Sequence, residues 1–282
     1  MRLLSLLLVL LTTTALSSVV LAQETYELSM APQSASDDIN SRISPLAVYL
    51  SQKTKTDIED VITNNYDQYE TQLKNGSIDM GYENPYIYTL VSKTHEVLAM
   101  AVKGKNQDKY RGIIIARKDS NVQILEDLRG KRVAIVGHTS AGGYLSQKLS
   151  LLEVGVDVDK DCTIVEAVEN KQENVILSVY TRDVDAGFIR ESALNNVDKY
   201  IAPAQIKVLC ICTWLPNWAF SVKKTLPVKL KEQIKTALLD LTPNHPVIKA
   251  LKIDAFRPAK DSEYDIVRRA SKGKIGPRQY RK

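Results

Sequence analysis

Gly130-Lys131-Arg132-Val133-Ala134-Ile135-Val136-Gly137-His138-Thr139-Ser140-Ala141-Gly142-Gly143-Tyr144 is the stretch whose reading decides the fold. Val133 to Val136 is a short apolar, β-branched run, the pattern of a buried strand. Beyond Tyr144, the apolar residues Leu145, Leu149 and Leu152 recur at helical spacing and predict a helix. Between strand and helix lies a turn with two hydroxyls, Thr139 and Ser140, and two glycines, Gly142 and Gly143. A small-residue turn that opens a helix leaves backbone N–H groups pointing outward, where the helix dipole favours an anion. The glycines remove side chains that would block close approach, and the hydroxyls add donors. The same composition also suits a turn with no ligand, so both readings stay open on this stretch alone.

The chain of 282 residues is long enough for a full core and two lobes. Its 44% hydrophobic and 25% charged residues are those of an ordinary globular protein. Arg2 followed by the apolar run from Leu3 to Leu21 and then Ala22 predicts a secretory signal over residues 1–22, and hence a periplasmic protein. An uncleaved membrane anchor is the alternative, because the run is nearly long enough to span a bilayer. Without Arg2, the only charged residue of that segment, the formal charge falls from +5 to +4. Lys and Arg mix with Asp and Glu almost everywhere, which argues against a nucleic-acid partner. Cys162, Cys210 and Cys212 allow at most one disulfide, and Cys210 and Cys212 share one face of a strand-like run as core residues. No His or Cys cluster has metal-ligand spacing, and no cofactor is implied.

Strand and helix signals alternate along the chain. Strands are predicted at Tyr26–Met30, Ile58–Ile62, Ile78–Tyr82, Val97–Val102 and Tyr110–Ala116. Ser44-Pro45 reads as a helix start, Tyr66, Tyr69 and Leu73 as one helical face closed by Gly76, and Pro85–Ser92 as a short helix. After Leu125–Leu128 and the opening stretch, Cys162–Val168, Val175–Val179 and Val184–Ile189 continue strand, helix, strand. Ile206–Thr213 is another strand, and Leu230, Ile234, Leu238 and Leu241 mark an amphipathic helix. The pattern predicts a two-lobed α/β fold with mixed, mostly parallel sheets covered by helices on both faces. Residues 23–113 with 215–282 form one lobe and 114–214 the inserted second, joined by extended crossings near Tyr110–Arg117 and Leu209–Ser221. A cleft between lobes is where small ligands bind.

From about residue 26 to 260 the sequence resembles the phosphate/phosphite/phosphonate-binding proteins of ABC importers, a branch of the two-lobed (type II) periplasmic solute-binding proteins. The resemblance rests on Asn65-Tyr66, Asn75-Gly76-Ser77-Ile78-Asp79, Tyr110, Leu125 to Val133, Ser140 to Leu145, and Val184-Asp185-Ala186-Gly187-Phe188. It implies a monomer that binds a small anion and hands it to an ABC transporter permease. Its pocket tyrosines match Tyr66 and Tyr110. Its Ser-Thr-Ser-Gly-aromatic-Leu anion loop matches Ser140, Ala141, Gly142, Gly143, Tyr144 and Leu145, with Thr139 able to replace a lost hydroxyl through a one-residue shift. The family's pocket histidine falls on Gln172, a glutamate near Ser192 with Glu191 adjacent, and an aspartate on Trp218. Fewer hydroxyls and carboxylates weaken the case for a multiply charged oxyanion or an amine, and Trp218 adds apolar surface, so a small organic anion competes with phosphate.

A sensory protein of the same fold, presenting its ligand to a membrane receptor or kinase, is the second hypothesis. An enzyme is the third. Against it, His95, His138 and His245 form no nucleophile–base arrangement, and no serine lies in a Gly-x-Ser-x-Gly elbow.

Overall fold

The computed structural model describes residues 24–33, 36–104 and 108–272; the expected signal segment, residues 1–22, lies outside them. In chain order the first group of elements is β1 (Thr25–Met30), α1 (Ser36–Thr54), β2 (Asp57–Val61), α2 (Tyr66–Asn75), β3 (Met80–Glu83), α3 (Pro85–Val91) and β4 (His95–Val102). The second is β5 (Lys109–Arg117), β6 (Arg132–Ile135), α4 (Ser146–Glu153), α5 (Val158–Asp161), β7 (Thr163–Glu166), α6 (Gln172–Tyr180), β8 (Ala186–Arg190) and β9 (Ile206–Pro216). The chain then adds β10 (Ala219–Lys223), α7 (Val228–Leu239), α8 (Pro246–Leu251), β11 (Ala255–Pro258) and α9 (Asp265–Ser271).

Two sheets result, ordered β11-β4-β10-β3-β1-β2 and β7-β6-β8-β5-β9. Each is parallel where consecutive strand–helix units build it, β2-β1-β3 in one and β7-β6-β8 in the other. Each is antiparallel around the strands that carry the chain between sheets, β10 in the first and β5 and β9 in the second. Lys109 lies opposite Pro216, and the Asn217 N–H donates to the Asp108 carbonyl at 2.8 Å, so the two passages between sheets run side by side. This is the two-lobed type II α/β architecture.

Local chemistry sets most element ends. The Asn65 side chain accepts the Gln68 N–H at the start of α2, and Gly76, at φ 78°, closes that helix in the left-handed conformation glycine allows. Asn84 caps α3 ahead of Pro85. Helix α1 departs from the sequence reading: it starts at Ser36, with Asp37 and Asp38 in its first turn, and Pro45 lies inside it. Ser44 is no cap; its hydroxyl donates to Asp60 at 2.6 Å. Ile39, Ile43, Leu46 and Leu50 are buried on one face through the proline, and that packing outweighs an interior proline's cost of about 3 kcal/mol. The strand expected at Cys162–Val168 ends at Glu166, because Glu169 and Asn170 both turn into the left-handed region at φ 55° and 56°.

The main core runs continuously from Leu28, Tyr69 and Phe220 of the first lobe to Val136, Val175 and Ile189 of the second. Residues of α9 return to the second lobe, where Val267 and Ala270 pack on Ala141, Leu145 and Leu149. All three cysteines are free, Cys212 buried and Cys210 half-buried. Among the described residues no helix is long and apolar enough to cross a membrane.

Candidate functional site

The turn that opens α4 is built from β6 outward. Ala141 to Leu145 wind as one wide helical turn capped by Ser140, whose Oγ accepts the Gly143 N–H at 3.1 Å. Ala141 and Gly142, first in that turn, have no intrahelical acceptor for their N–H groups. Ser140, Ala141, Gly142 and Gly143 are buried, and Thr139 is half-buried. A Cβ built on Gly142 would meet Tyr110 Cε2 at 2.7 Å and Arg190 Cβ at 3.2 Å, so the glycine is what admits these two side chains against the turn.

Tyr66 approaches from the first lobe. Its backbone N–H donates to Asn170 Oδ1 at 3.0 Å, while Asn170 Nδ2 donates to the Val136 carbonyl at 2.8 Å. One side chain of the second lobe thus clasps the start of α2 in the first. Burial pushes the Tyr66 hydroxyl up to about 12, against the lowering influence of Ser140, Arg190 and Asn84 around it. Burial likewise drives the Tyr110 hydroxyl well above the ordinary tyrosine range, with the Arg190 charge opposing. Both phenols stay protonated at neutral pH and can donate.

A cavity of about 1180 Å³ lies between the lobes. Of the residues expected at the site, Tyr110, Gln172, Glu191 and Trp218 line it; Tyr66 and residues 139–144 are not among its lining residues. The ring of Tyr110 and the stem of Arg190 stand between this cavity and Gly142. Trp218 is buried and packs against Tyr82, with ring centroids 5.2 Å apart. Tyr110 Oη and Trp218 Nε1 are enclosed and face one another, with no other hydrogen-bond partner among the described residues.

The remaining expected residues have other partners. Gln172 Oε1 accepts the Arg190 N–H at 2.9 Å and so fixes the end of β8. Glu191 forms a two-pronged pair with Arg111, at 2.8 and 3.0 Å, and that guanidinium stacks 4.2 Å over Trp214. Tyr144 donates to Asp159 and lies against His138 and Lys148, none of which lines the cavity. His138 itself pairs with Glu166. Among the described residues no group of His, Cys, Asp and Glu is arranged to hold a metal ion.

Two arginines absent from the sequence reading complete the site. Arg42, on the buried face of α1, donates to the Leu251 carbonyl at 3.0 Å, and its Nε has no partner among the described residues. Arg190, at the end of β8, also has an enclosed, unpartnered Nε. Arg42 was legible in one respect: it interrupts the apolar stripe Ile39, Ile43, Leu46 with a charge. Arg190 gave no such signal, being one charge beside Glu191 at a strand end.

A profile of the family described as "ABC transporter, phosphonate, periplasmic substrate-binding protein" matches residues 28–264. The phosphate-import protein PhnD of Mycolicibacterium smegmatis is 24% identical over 226 residues, covering 76% of this chain and 70% of that protein. The binding protein component of a phosphonate ABC transporter from Pseudomonas aeruginosa superposes with a TM-score of 0.78 at 18% identity, covering 90% of this chain and 87% of that one. PhnD1 from Prochlorococcus marinus, solved in complex with methylphosphonate, gives 0.78 at 15% identity, covering 90% of this chain and 100% of that one.

Proposed function

We propose a function from one premise: the chain belongs to the periplasmic substrate-binding proteins of phosphonate ABC transporters. It is a carrier component and not an enzyme. On our reading it acts as a monomer, captures phosphate, phosphite or a phosphonate in the interlobe cleft, and delivers it to the permease of an importer. The oxyanion sits against the Ser140–Tyr144 turn, between Tyr66 and Tyr110.

The observation that carries this reading is the enclosed Tyr110 hydroxyl, which faces the Trp218 N–H and whose own proton has no acceptor among the described residues. A buried donor without an acceptor costs about 1–3 kcal/mol, so a phenol proton held at the cleft calls for a ligand that accepts. A phosphonate or phosphate oxyanion is such a ligand. The amides that start the 141–145 turn add donors of the same kind. Gln172 and Glu191 then act through other residues: the first holds Arg190, and the second is held by Arg111.

Thermal-shift measurements with phosphate, phosphite and methylphosphonate test the reading. A ligand at a hundred times its Kd stabilises the protein by about 2.7 kcal/mol, which is readily seen. Small-angle scattering with the best ligand is expected to show compaction. The absence of a thermal shift with all three oxyanions would overturn the assignment.

A further inference from the structure

The cavity is larger and more cationic than a lone oxyanion requires. At about 1180 Å³ it exceeds the roughly 300–1,000 Å³ of pockets that take drug-sized molecules. Cationic side chains outnumber carboxylates two to one along its lining. The carboxylates are also engaged. Glu191 is held by Arg111, Asp38 is shared between Lys252 at 2.9 Å and Arg42 at 3.6 Å, and Asp254 accepts the Gly104 N–H.

Arg42, Arg190 and Lys103 come from three different places: α1 of the first lobe, the end of β8 in the second, and the chain just after β4. Each of the two arginines carries an enclosed Nε without a partner among the described residues. Like charges converging here oppose one another, and Arg42 is held below its ordinary range, first by burial and then by Arg190. Burying like charges is unfavourable unless an anion comes between them.

We propose that the site is built for a phosphonate or phosphate monoester that carries a second acidic group, which Arg42 and Arg190 clasp from opposite lobes beside Lys103. This rests on the oxyanion reading above, which places the phosphorus group at the Ser140–Tyr144 turn. It also accounts for the replacements at the turn: hydrogen-bond donors lost as hydroxyls there are returned as guanidinium groups along the cleft. An ammonium-bearing ligand is disfavoured by the same cations.

The test is titration calorimetry of the full chain with three probes: 3-phosphonopropionate, propylphosphonate and glutarate. Wild type is expected to prefer 3-phosphonopropionate over propylphosphonate on the order of ten- to a hundredfold, the range for hydrogen bonds to a charged group. In Arg42→Met and in Lys103→Ala that ratio is expected to fall toward one. Lys103 is exposed, so the second variant stays informative if the first fails to fold. Equal affinity of wild type for the two phosphonates overturns the second subsite while leaving the oxyanion reading intact. A preference that survives in both folded variants also overturns it. Binding of glutarate with no binding of either phosphonate overturns the oxyanion reading, and this proposal with it.

Discussion

Glu83, His95 and Ser221 form a fully buried polar cluster in the first sheet, and its two titratable members make opposite demands on pH. Tyr69 Oη donates to Glu83 at 2.9 Å and Ser221 Oγ donates to it at 2.6 Å, while His95 Nδ1 lies 3.3 Å from the same serine hydroxyl. Burial raises the Glu83 carboxyl from 4.5 to about 7, opposed by Ser221 and Tyr69. Burial lowers His95 from 6.5 to about 4, with the Lys223 and Lys224 charges acting in the same direction. A raised carboxyl stabilises the fold fully below about 4.5 and loses that contribution as pH rises through about 7. A depressed imidazole stabilises it above about 6.5 and loses that contribution as pH falls through about 4. Each displacement spans about 2.5 pH units, worth roughly 3 kcal/mol. Between about pH 4.5 and 6.5 the two slopes nearly cancel. Glu83→Gln keeps one accepting oxygen and turns the other position into an NH2 that donates to the facing hydroxyl, and it leaves the histidine slope alone. Its stability relative to wild type is therefore expected to fall by up to roughly 3 kcal/mol on acidification from about pH 8 to 4.5, from above wild type at about pH 8 to near it at about 4.5. His95→Gln is expected to show the mirror profile, gaining stability on acidification. Urea unfolding followed by circular dichroism across this range, taken as variant minus wild type, removes the slopes of all other groups. Parallel curves for wild type and Glu83→Gln would refute the reasoning.

Four further expectations bear on the cleft. Gly142→Val pushes against Tyr110 and Arg190, whose nearest atoms lie 2.7 and 3.2 Å from its Cβ, and is expected to abolish oxyanion binding in a protein with a native circular dichroism spectrum; normal binding by calorimetry would place the ligand elsewhere. Ser140→Ala removes the Gly143 cap and a hydroxyl beside Tyr66, and is expected to weaken binding roughly tenfold or more without unfolding the chain. With Gln172 where an imidazole would titrate, affinity for a ligand that does not itself titrate there is expected to stay flat between about pH 6 and 7.5, and a steep loss in that window would contradict the assignment. Asn170→Ala breaks both bonds of the interlobe clasp and is expected to lower affinity about fivefold and to expand the protein in small-angle scattering; an unchanged radius of gyration would mean the clasp holds nothing.

Most of the fold was legible because its signals are local. Tyr66, Tyr69 and Leu73 ahead of Gly76, and Asn84 ahead of Pro85, set helix ends within a few residues of sequence. The failure at Ser44-Pro45 was also local in origin. A hydroxyl and a proline read as a cap, but the buried stripe from Ile39 to Leu50 carries the helix through them. What sequence could not give was the cleft's charge. Arg42 and Arg190 are 148 positions apart and meet only when two lobes, each folded from its own segments, face one another. The opening turn shows the same limit from the other side. Its strand, glycines and helix are plain in sequence, yet that Tyr110 and Arg190 lie against Gly142 depends on β5 and β8 pairing in the second sheet.

That convergence bears on how a binding protein of this kind stays responsive. Contacts between the lobes favour closure: the Asn170 clasp on Tyr66, the continuous core, and α9 packed on the back of the Ser140–Tyr144 turn. Were these the whole balance, the lobes would rest shut and ligand entry would be slow. On the proposal above, Arg42 and Arg190 act against them, because closing the lobes brings two guanidinium groups to one cavity. A ligand shifts an equilibrium only by its differential affinity for the two states, and an anion bridging cations from both lobes has its full affinity only in the closed one. The repulsion that opposes the empty closed form is then the same interaction that a bound anion reverses. On this proposal, closure is tied to the charge of the ligand as well as to its fit.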